Sequence, residues 1–202
     1  VTNFIETEIK LYVPDLVATE AHVRAAGATL VAPRVFERNY RYDDEQGTIR
    51  ANHQVVRLRQ DSRARFTYKE DVPIVEGAGV MSRFEAEVEV SDFDAMHEIL
   101  SRLGYHPYMS YEKYRTTYEL DSCEIVLDEL PFGNFVEIEG TAEAIAGVRT
   151  RIGLDDAPAI TASYVTISET LGQWMGLNFS DLTFRNFQDV EIPADAFQKF
   201  SS

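Results

Sequence analysis

The sequence predicts an α+β fold, mainly β, in which about eight antiparallel strands form the body and helices pack outside. Three observations point there. Alternation of apolar and charged residues at a period of two returns in stretch after stretch, from Ile5–Leu11 to Val136–Glu139. Amphipathic runs opened by cap residues such as Asp15, Thr141 and Ser163 stand between or after these stretches. No linker rich in Gly, Pro or Ser and no internal repeat divides the 202 residues, so residues 1–202 read as a single domain.

The elements follow in order. Residues 4–13 form the first strand, and Pro14-Asp15 opens a helix through Leu16, Val17, Val23 and Ala26 that stops at Gly27. A second extended stretch covers 29–42, followed by the polar turn Asp43-Asp44-Glu45-Gln46-Gly47. Residues 54–60 and 65–70 pair as a hairpin through Asp61-Ser62-Arg63, and 72–81 is a loop carrying Gly77-Ala78-Gly79. Strand 82–90 leads into a helix that begins at Ser91 or Asp92 and ends at Gly104. Strand 108–113 runs on into 114–120, and strands 124–129 and 135–140 are joined by a turn at Gly133-Asn134. Helices cover 142–152 and 163–175, which takes the core over about 4–175, while 176–202 has little periodicity and reads as a C-terminal tail.

Bulk composition narrows the function. A formal net charge of −15 argues against nucleic-acid partners, because phosphate backbones are held by clustered Lys and Arg. No apolar run reaches the length of a membrane span and no signal-peptide layout opens the chain, so the expectation is a cytoplasmic protein without membrane contact. The single cysteine, Cys123, excludes an internal disulfide framework.

The charged positions are sorted by sign. Glu6, Glu8 and Lys10 share one face of the first strand; Arg57 and Arg59 share another. Glu85 and Glu87, Lys113 and Arg115, and Glu137 and Glu139 do the same on theirs, with Lys69 and Asp128 on strands of their own. Two arrangements fit. One is a sheet with a wet face. The other is a barrel closed with its charges inward, where carboxylates and cations meet across a bore. So much enclosed charge is tolerable only if it is paired or meets ions, and metal ions with a polyanion supply that partner. Tyr40, Tyr42, Tyr111 and Tyr114 are candidates for stacking on a base near the mouth of such a bore.

These residues resemble the CYTH superfamily, the triphosphate tunnel metalloenzymes, which include class IV adenylyl cyclases and thiamine triphosphatases. The resemblance runs through ExExK (Glu6, Glu8, Lys10), RLR (Arg57, Arg59), TYK (Lys69) and RxExE (Arg83, Glu85, Glu87). It continues through EKxR (Lys113, Arg115) and LDE…GxFVEIE (Asp128, Glu129, Glu137, Glu139), spanning about 4–140 in the family's order. It implies an eight-stranded antiparallel β-barrel, a triphosphate tunnel, with helices packed outside.

By the same resemblance Glu6, Glu8 and Glu139 hold Mg²⁺ or Mn²⁺, with Asp128 and Glu137 assisting a second metal or a water. Lys10, Arg57, Arg59, Lys69, Lys113 and Arg115 grip phosphates. Glu6, Glu8, Lys10, Glu85 and Glu87 form the catalytic set, the last two binding metal or water or pairing with the arginines. The implied activity is metal-dependent hydrolysis of tripolyphosphate, thiamine triphosphate or another triphosphate. Cyclisation of ATP to cyclic AMP and pyrophosphate is the alternative, and a non-catalytic polyphosphate or nucleotide binder is the second alternative. The partner is a small triphosphate, and the subunit state is a monomer or homodimer.

Overall fold

The computed structural model describes residues 4–71, 81–193 and 195–200. Of the loop expected over 72–81, all but Met81 lies outside the described residues, Gly77-Ala78-Gly79 included. Eight strands are present: β1 (Ile5–Tyr12), β2 (Thr29–Asp43), β3 (Gln54–Gln60), β4 (Ala64–Asp71), β5 (Met81–Val90), β6 (His106–Leu120), β7 (Cys123–Leu130) and β8 (Gly133–Glu139). They close into a barrel in the order β1-β5-β4-β3-β2-β6-β7-β8. Every neighbouring pair is antiparallel.

Period two decides which face points where. On β1, Ile9 and Leu11 are buried on the outer surface against Val23 of helix α1 (Leu16–Ala25) and Ile145 and Val148 of α4 (Ala142–Arg151). On β3, Val56 and Leu58 meet Phe93 and Leu100 of α3 (Phe93–Arg102). The apolar faces therefore look outward under the helices, and the charged faces look into the bore. The wet-faced open sheet is thereby excluded.

Capping fixes the helix starts. Asp15 Oδ1 accepts from Ala18 N at 2.9 Å and Asp92 Oδ1 from Ala95 N at 2.8 Å. Thr141 and Ser163 cap α4 and α5 (Tyr164–Met175) in the same way. Gly104 follows α3 with φ +90°, a left-handed conformation that disfavours side chains bearing a Cβ. A one-turn helix, α2 (Thr48–Ala51), extends the turn expected at 43–47. Among the described residues no helix is long and apolar enough to cross a membrane.

The segment expected to be a tail is instead part of the body. β6 has fifteen residues, but β7 pairs only with its Tyr114–Leu120 half. Along the remaining edge, Leu182 takes the place β7 has left: its N–H donates to Ser110 O and its carbonyl accepts from Glu112 N, both at 2.9 Å. Unpaired backbone groups in a covered position need such a partner. Leu182, Phe187 of the short α6 (Phe184–Phe187) and Phe197 are then buried with α5 residues Val165, Ile167 and Leu171. β1 is completed likewise beyond the reach of β5, where Pro158 O accepts from Tyr12 N and Ile160 N donates to Lys10 O.

Candidate active site in the barrel bore

Every strand contributes to a central cavity of about 490 Å³. Its wall carries Glu6, Glu8 and Lys10 from β1, Arg57 and Arg59 from β3, Lys69 from β4, and Glu85 and Glu87 from β5. β6 adds Lys113 and Arg115, and β8 adds Glu137 and Glu139. The expected set is thus brought together, apart from Asp128.

The acidic corner forms where β1, β8 and β7 meet. Glu8 lies opposite Glu139, and Glu139 lies opposite Glu124 of β7, which places three carboxylates in a row across three strands. Directly opposed like charges on a sheet repel. Burial, then the charges of Glu6, Glu124 and Glu8, push the Glu139 carboxyl up to about 7. Among the described residues no three His, Cys, Asp or Glu side chains are already drawn together as a metal cage. The donor set is nevertheless all hard oxygen, and Glu139 bears an electrostatic stress that a divalent cation relieves; these residues fit Mg²⁺ or Mn²⁺.

Cations face that corner. Burial and the neighbouring Arg57 push Lys69 down to about 8, against the pull of Glu8 and Glu6. Lys69 pairs with Glu85 and stands 3.8 Å from Glu6. Arg59 Nη2 donates to both oxygens of Glu87 at 2.9 and 2.8 Å, while Arg57 Nη2 stands 3.7 Å from Glu85 and 3.5 Å from Glu87. Glu85 and Glu87 therefore act in this geometry as counter-ions that aim the cations. The Nε atoms of Arg41, Arg57, Arg59 and Arg65, all from side chains lining the cavity, are buried without a hydrogen-bond partner. Orphaned buried donors are costly, and an anion with several acceptor oxygens satisfies them.

Asp128 stands apart from the rest of the expected set. Asp128, expected near a metal or its water, is fully buried and saturated. Its oxygens accept from Arg115 Nε at 2.7 Å, Arg115 Nη2 at 2.6 Å, Lys113 Nζ at 2.9 Å and Tyr164 OH at 3.1 Å. In this geometry all four hydrogen bonds that Asp128 accepts come from two cations and a phenol. Glu137, expected beside it, lies 3.5 Å from Lys10 Nζ and accepts from Arg115 Nη2 at 2.8 Å. Burial alone raises Glu137, but Lys10, Arg115 and Lys113 outweigh it and hold the carboxyl far below the usual range.

Several residues of the charged network escape the sequence reading: Arg41, Arg65, Glu124 and Tyr164 on the cavity wall, and Glu37, Asn39 and Thr67 behind it. Glu37 is fully buried, accepts from Asn39 Nδ2 at 2.9 Å, and lies 3.4 Å from Arg59 and 3.5 Å from Lys113. Burial raises its carboxyl, yet Lys113, Arg115 and Arg59 together drive it well below the carboxylate range. The spacing Glu37-Asn39-Arg41 holds the signal, but Arg38 on the other face, over the rings of Tyr40 and Phe93, obscures it. Of the four tyrosines proposed for base stacking, only Tyr111 lines the cavity. Tyr40 and Tyr42 pack by α3 against Phe93 and His97, and Tyr114 against Phe36 and Phe184.

Comparison with known proteins agrees with this architecture. A protein of Pyrococcus horikoshii superposes with a TM-score of 0.65 at 23% identity, covering 82% of this chain and 99% of that one. A candidate adenylate cyclase of Vibrio parahaemolyticus gives 0.61 at 20% identity, covering 75% and 86%. A candidate adenylyl cyclase of Hippeastrum, described as having a dominant triphosphatase activity, gives 0.61 at 18% identity, covering 82% and 95%. At these identities the likeness is one of fold. No curated protein matches the sequence. The CYTH domain matches residues 5–151, from the first strand of the ring through the last residue of α4, and the chain belongs to the CYTH domain family.

Proposed function

We propose that the protein is a divalent-metal-dependent triphosphatase that hydrolyses tripolyphosphate or a related triphosphate ester in the bore. One observation carries the reading: a mutually repelling carboxylate corner and a group of arginines with unsatisfied buried donors share a single cavity. Neither wall is content alone, and a metal–triphosphate complex satisfies both.

In this reading Glu6, Glu8 and Glu139 hold the cation, and Glu124 adds its field at the exposed rim. Mg²⁺ or Mn²⁺ bound there supplies charge neutralisation and a polarised water. Arg57, Arg59 and Arg41 take the non-bridging phosphate oxygens, and Lys69 in its protonated form joins them. Glu37, Glu85, Glu87 and Asp128 hold those cations in place before substrate arrives. Water adds to the terminal phosphorus, the bridging P–O bond breaks, and orthophosphate and pyrophosphate leave. Such transfer asks mainly for positioning and charge stabilisation, which a rigid charged bore provides.

ATP cyclisation uses the same walls but needs room and a stacking partner for adenine. Among the described residues Tyr111 and Tyr164 are the aromatic side chains of the lining, and both are engaged internally, which favours hydrolysis. Incubation with Mg²⁺ or Mn²⁺ and either tripolyphosphate or ATP separates the reactions: phosphate release supports the proposal, whereas cyclic AMP with pyrophosphate replaces it. Glu8→Gln is expected to abolish metal-dependent turnover, and retained activity in that variant refutes the metal assignment.

A further inference from the structure

A second cavity, of about 450 Å³, lies outside the bore where β1 ends, α1 begins and the chain leaves α4. No described residue lines both cavities. Its volume falls within the roughly 300–1,000 Å³ of small-molecule sites. The inner surface is apolar: Val13, Leu154 and Phe197 are buried there, and the ring of Tyr12 stacks on Phe197 with centroids 4.1 Å apart. Asp15 and Asp156, both exposed, stand at the rim. Among the described residues of the lining, His22 is the one basic side chain, and no Lys or Arg joins it.

Both walls are held by the protein itself. Arg149 of α4 donates from Nε to Leu154 O at 3.0 Å and from Nη2 to Asp155 O and Ala157 O, both at 2.9 Å, which fixes the turn that forms one wall. On the other side Asp15 Oδ1 caps α1, and Thr19 Oγ1 donates to Asp15 O at 2.7 Å. Tyr12 N ties the walls together through Pro158 O at 3.2 Å. The cavity is therefore preformed, and an entering ligand has little chain to order. Among the described residues the Asp156 carboxylate has no hydrogen-bond or ion-pair partner. Aromatic rings attract a cation through their π electrons, carboxylates attract it by charge, and the net charge of −15 adds a long-range pull. An anion meets repulsion from the same groups, and a neutral molecule forgoes the attraction.

We propose that this cavity is a second ligand site, which takes a small organic cation with a flat apolar body, its ring against Tyr12 and Leu154 and its charge at Asp15 and Asp156. The site is independent of the triphosphatase reading and stands or falls without it. Ligand-observed NMR titration of the whole chain with benzyltrimethylammonium, benzyl alcohol and benzenesulfonate tests it. The cation is expected to bind at least about tenfold more tightly than the alcohol, the effect of rings and carboxylates acting together, and the sulfonate not to bind. Asp15→Asn combined with Asp156→Asn keeps the α1 cap, because Asn caps as well as Asp. This double variant is expected to erase the preference for the cation and leave the affinity for the alcohol unchanged. Ala18→Trp, at an exposed position of the lining, is expected to abolish binding of both. Glu8→Gln removes a charge from the bore and is expected to leave the titrations unchanged. Equal affinity for cation and alcohol overturns the proposal, as does undetectable binding of the cation at millimolar concentration. Loss of binding in Glu8→Gln but not in Ala18→Trp places the cation in the bore and also overturns it. So does a double variant that keeps the preference with an unchanged thermal melt.

Discussion

Asp128→Asn, set beside Glu139→Gln, distinguishes an anchor from a metal ligand by the sign of its effect on the metal-free protein. Asp128 is fully buried and takes four hydrogen bonds, three of them from the cations Lys113 and Arg115. An amide in its place keeps one acceptor, turns the other into a donor facing those cations, and removes the neutralising charge. Glu37 at 3.5 Å from Lys113 and Glu137 at 2.8 Å from Arg115 offset only part of that loss. Breaking a buried ion pair from one side costs about 3–5 kcal/mol. For a chain of this size that lowers the melting temperature by about 6–20 °C.

Glu139→Gln is expected to do the reverse. The folded protein raises this carboxyl from 4.5 to about 7, so the ionised form is disfavoured in the fold at any pH above that value. The glutamine removes the repulsion and stabilises by about 1 kcal/mol after allowance for solvent screening. The gain fades as pH falls through about 7 towards 4.5, where the carboxyl is neutral in the fold in any case. Circular-dichroism melts in a chelator, followed by melts with Mn²⁺ and tripolyphosphate, read both effects. An Asp128→Asn variant more stable than wild type in chelator refutes the anchor role and returns Asp128 to the metal-ligand set.

Further outcomes are expected from the same geometry. Lys69 titrates at about 8, so its cation is present below that pH and lost above it; kcat/KM for tripolyphosphate should fall as pH rises through about 8, and Lys69→Arg should flatten that limb. A Cβ on Gly140 lies 2.7 Å from Cys123 Sγ beside the acidic corner. Gly140→Ala should therefore cost about 1–3 kcal/mol, read as a lower urea midpoint. Glu37 and Glu137 have depressed carboxyls, so their stabilisation is complete above the ordinary value of 4.5 and drains away as pH falls below it. Acid titration by fluorescence should show wild type losing stability there faster than Glu37→Gln, which has already forfeited its share.

How much of this could be read from the sequence depends on whether the cause is local. Strand β1 is legible because Glu6-Thr7-Glu8-Ile9-Lys10 alternates cleanly and its apolar partners are covered by α1 and α4. The helix starts are legible because a cap acts within three residues, as Asp15 and Asp92 do. Ring closure is not local. Alternation alone fits an open wet sheet equally well, and only the pairing of β1 with both β5 and β8 excludes it. β2 stays opaque because Arg38 and Glu37 put charge on both faces, one outside over Phe93 and one inside on Arg59. Residues 181–183 look like tail because their order comes from the unfilled edge of β6, a vacancy set by the length of β7 and invisible in the segment itself. The role of Asp128 depends on which donors converge on it, and Tyr164 arrives from a helix far along the chain.

The joint between the first and last strands has a bearing on how the ring assembles. There Glu8 confronts Glu139, while two residues on Lys10 faces Glu137 at 3.5 Å. One rung pushes the strands apart and the next draws them together, so the hoop is fastened by a latch whose strength depends on counter-charge. On the proposed function, a metal ion and phosphates bound in the bore would reward only the fastened form and none of its unzipped precursors. Nascent chains have no such cavity until residue 139 has joined residue 8, so ligand supply should govern how long the hoop stays shut far more than how quickly it first forms.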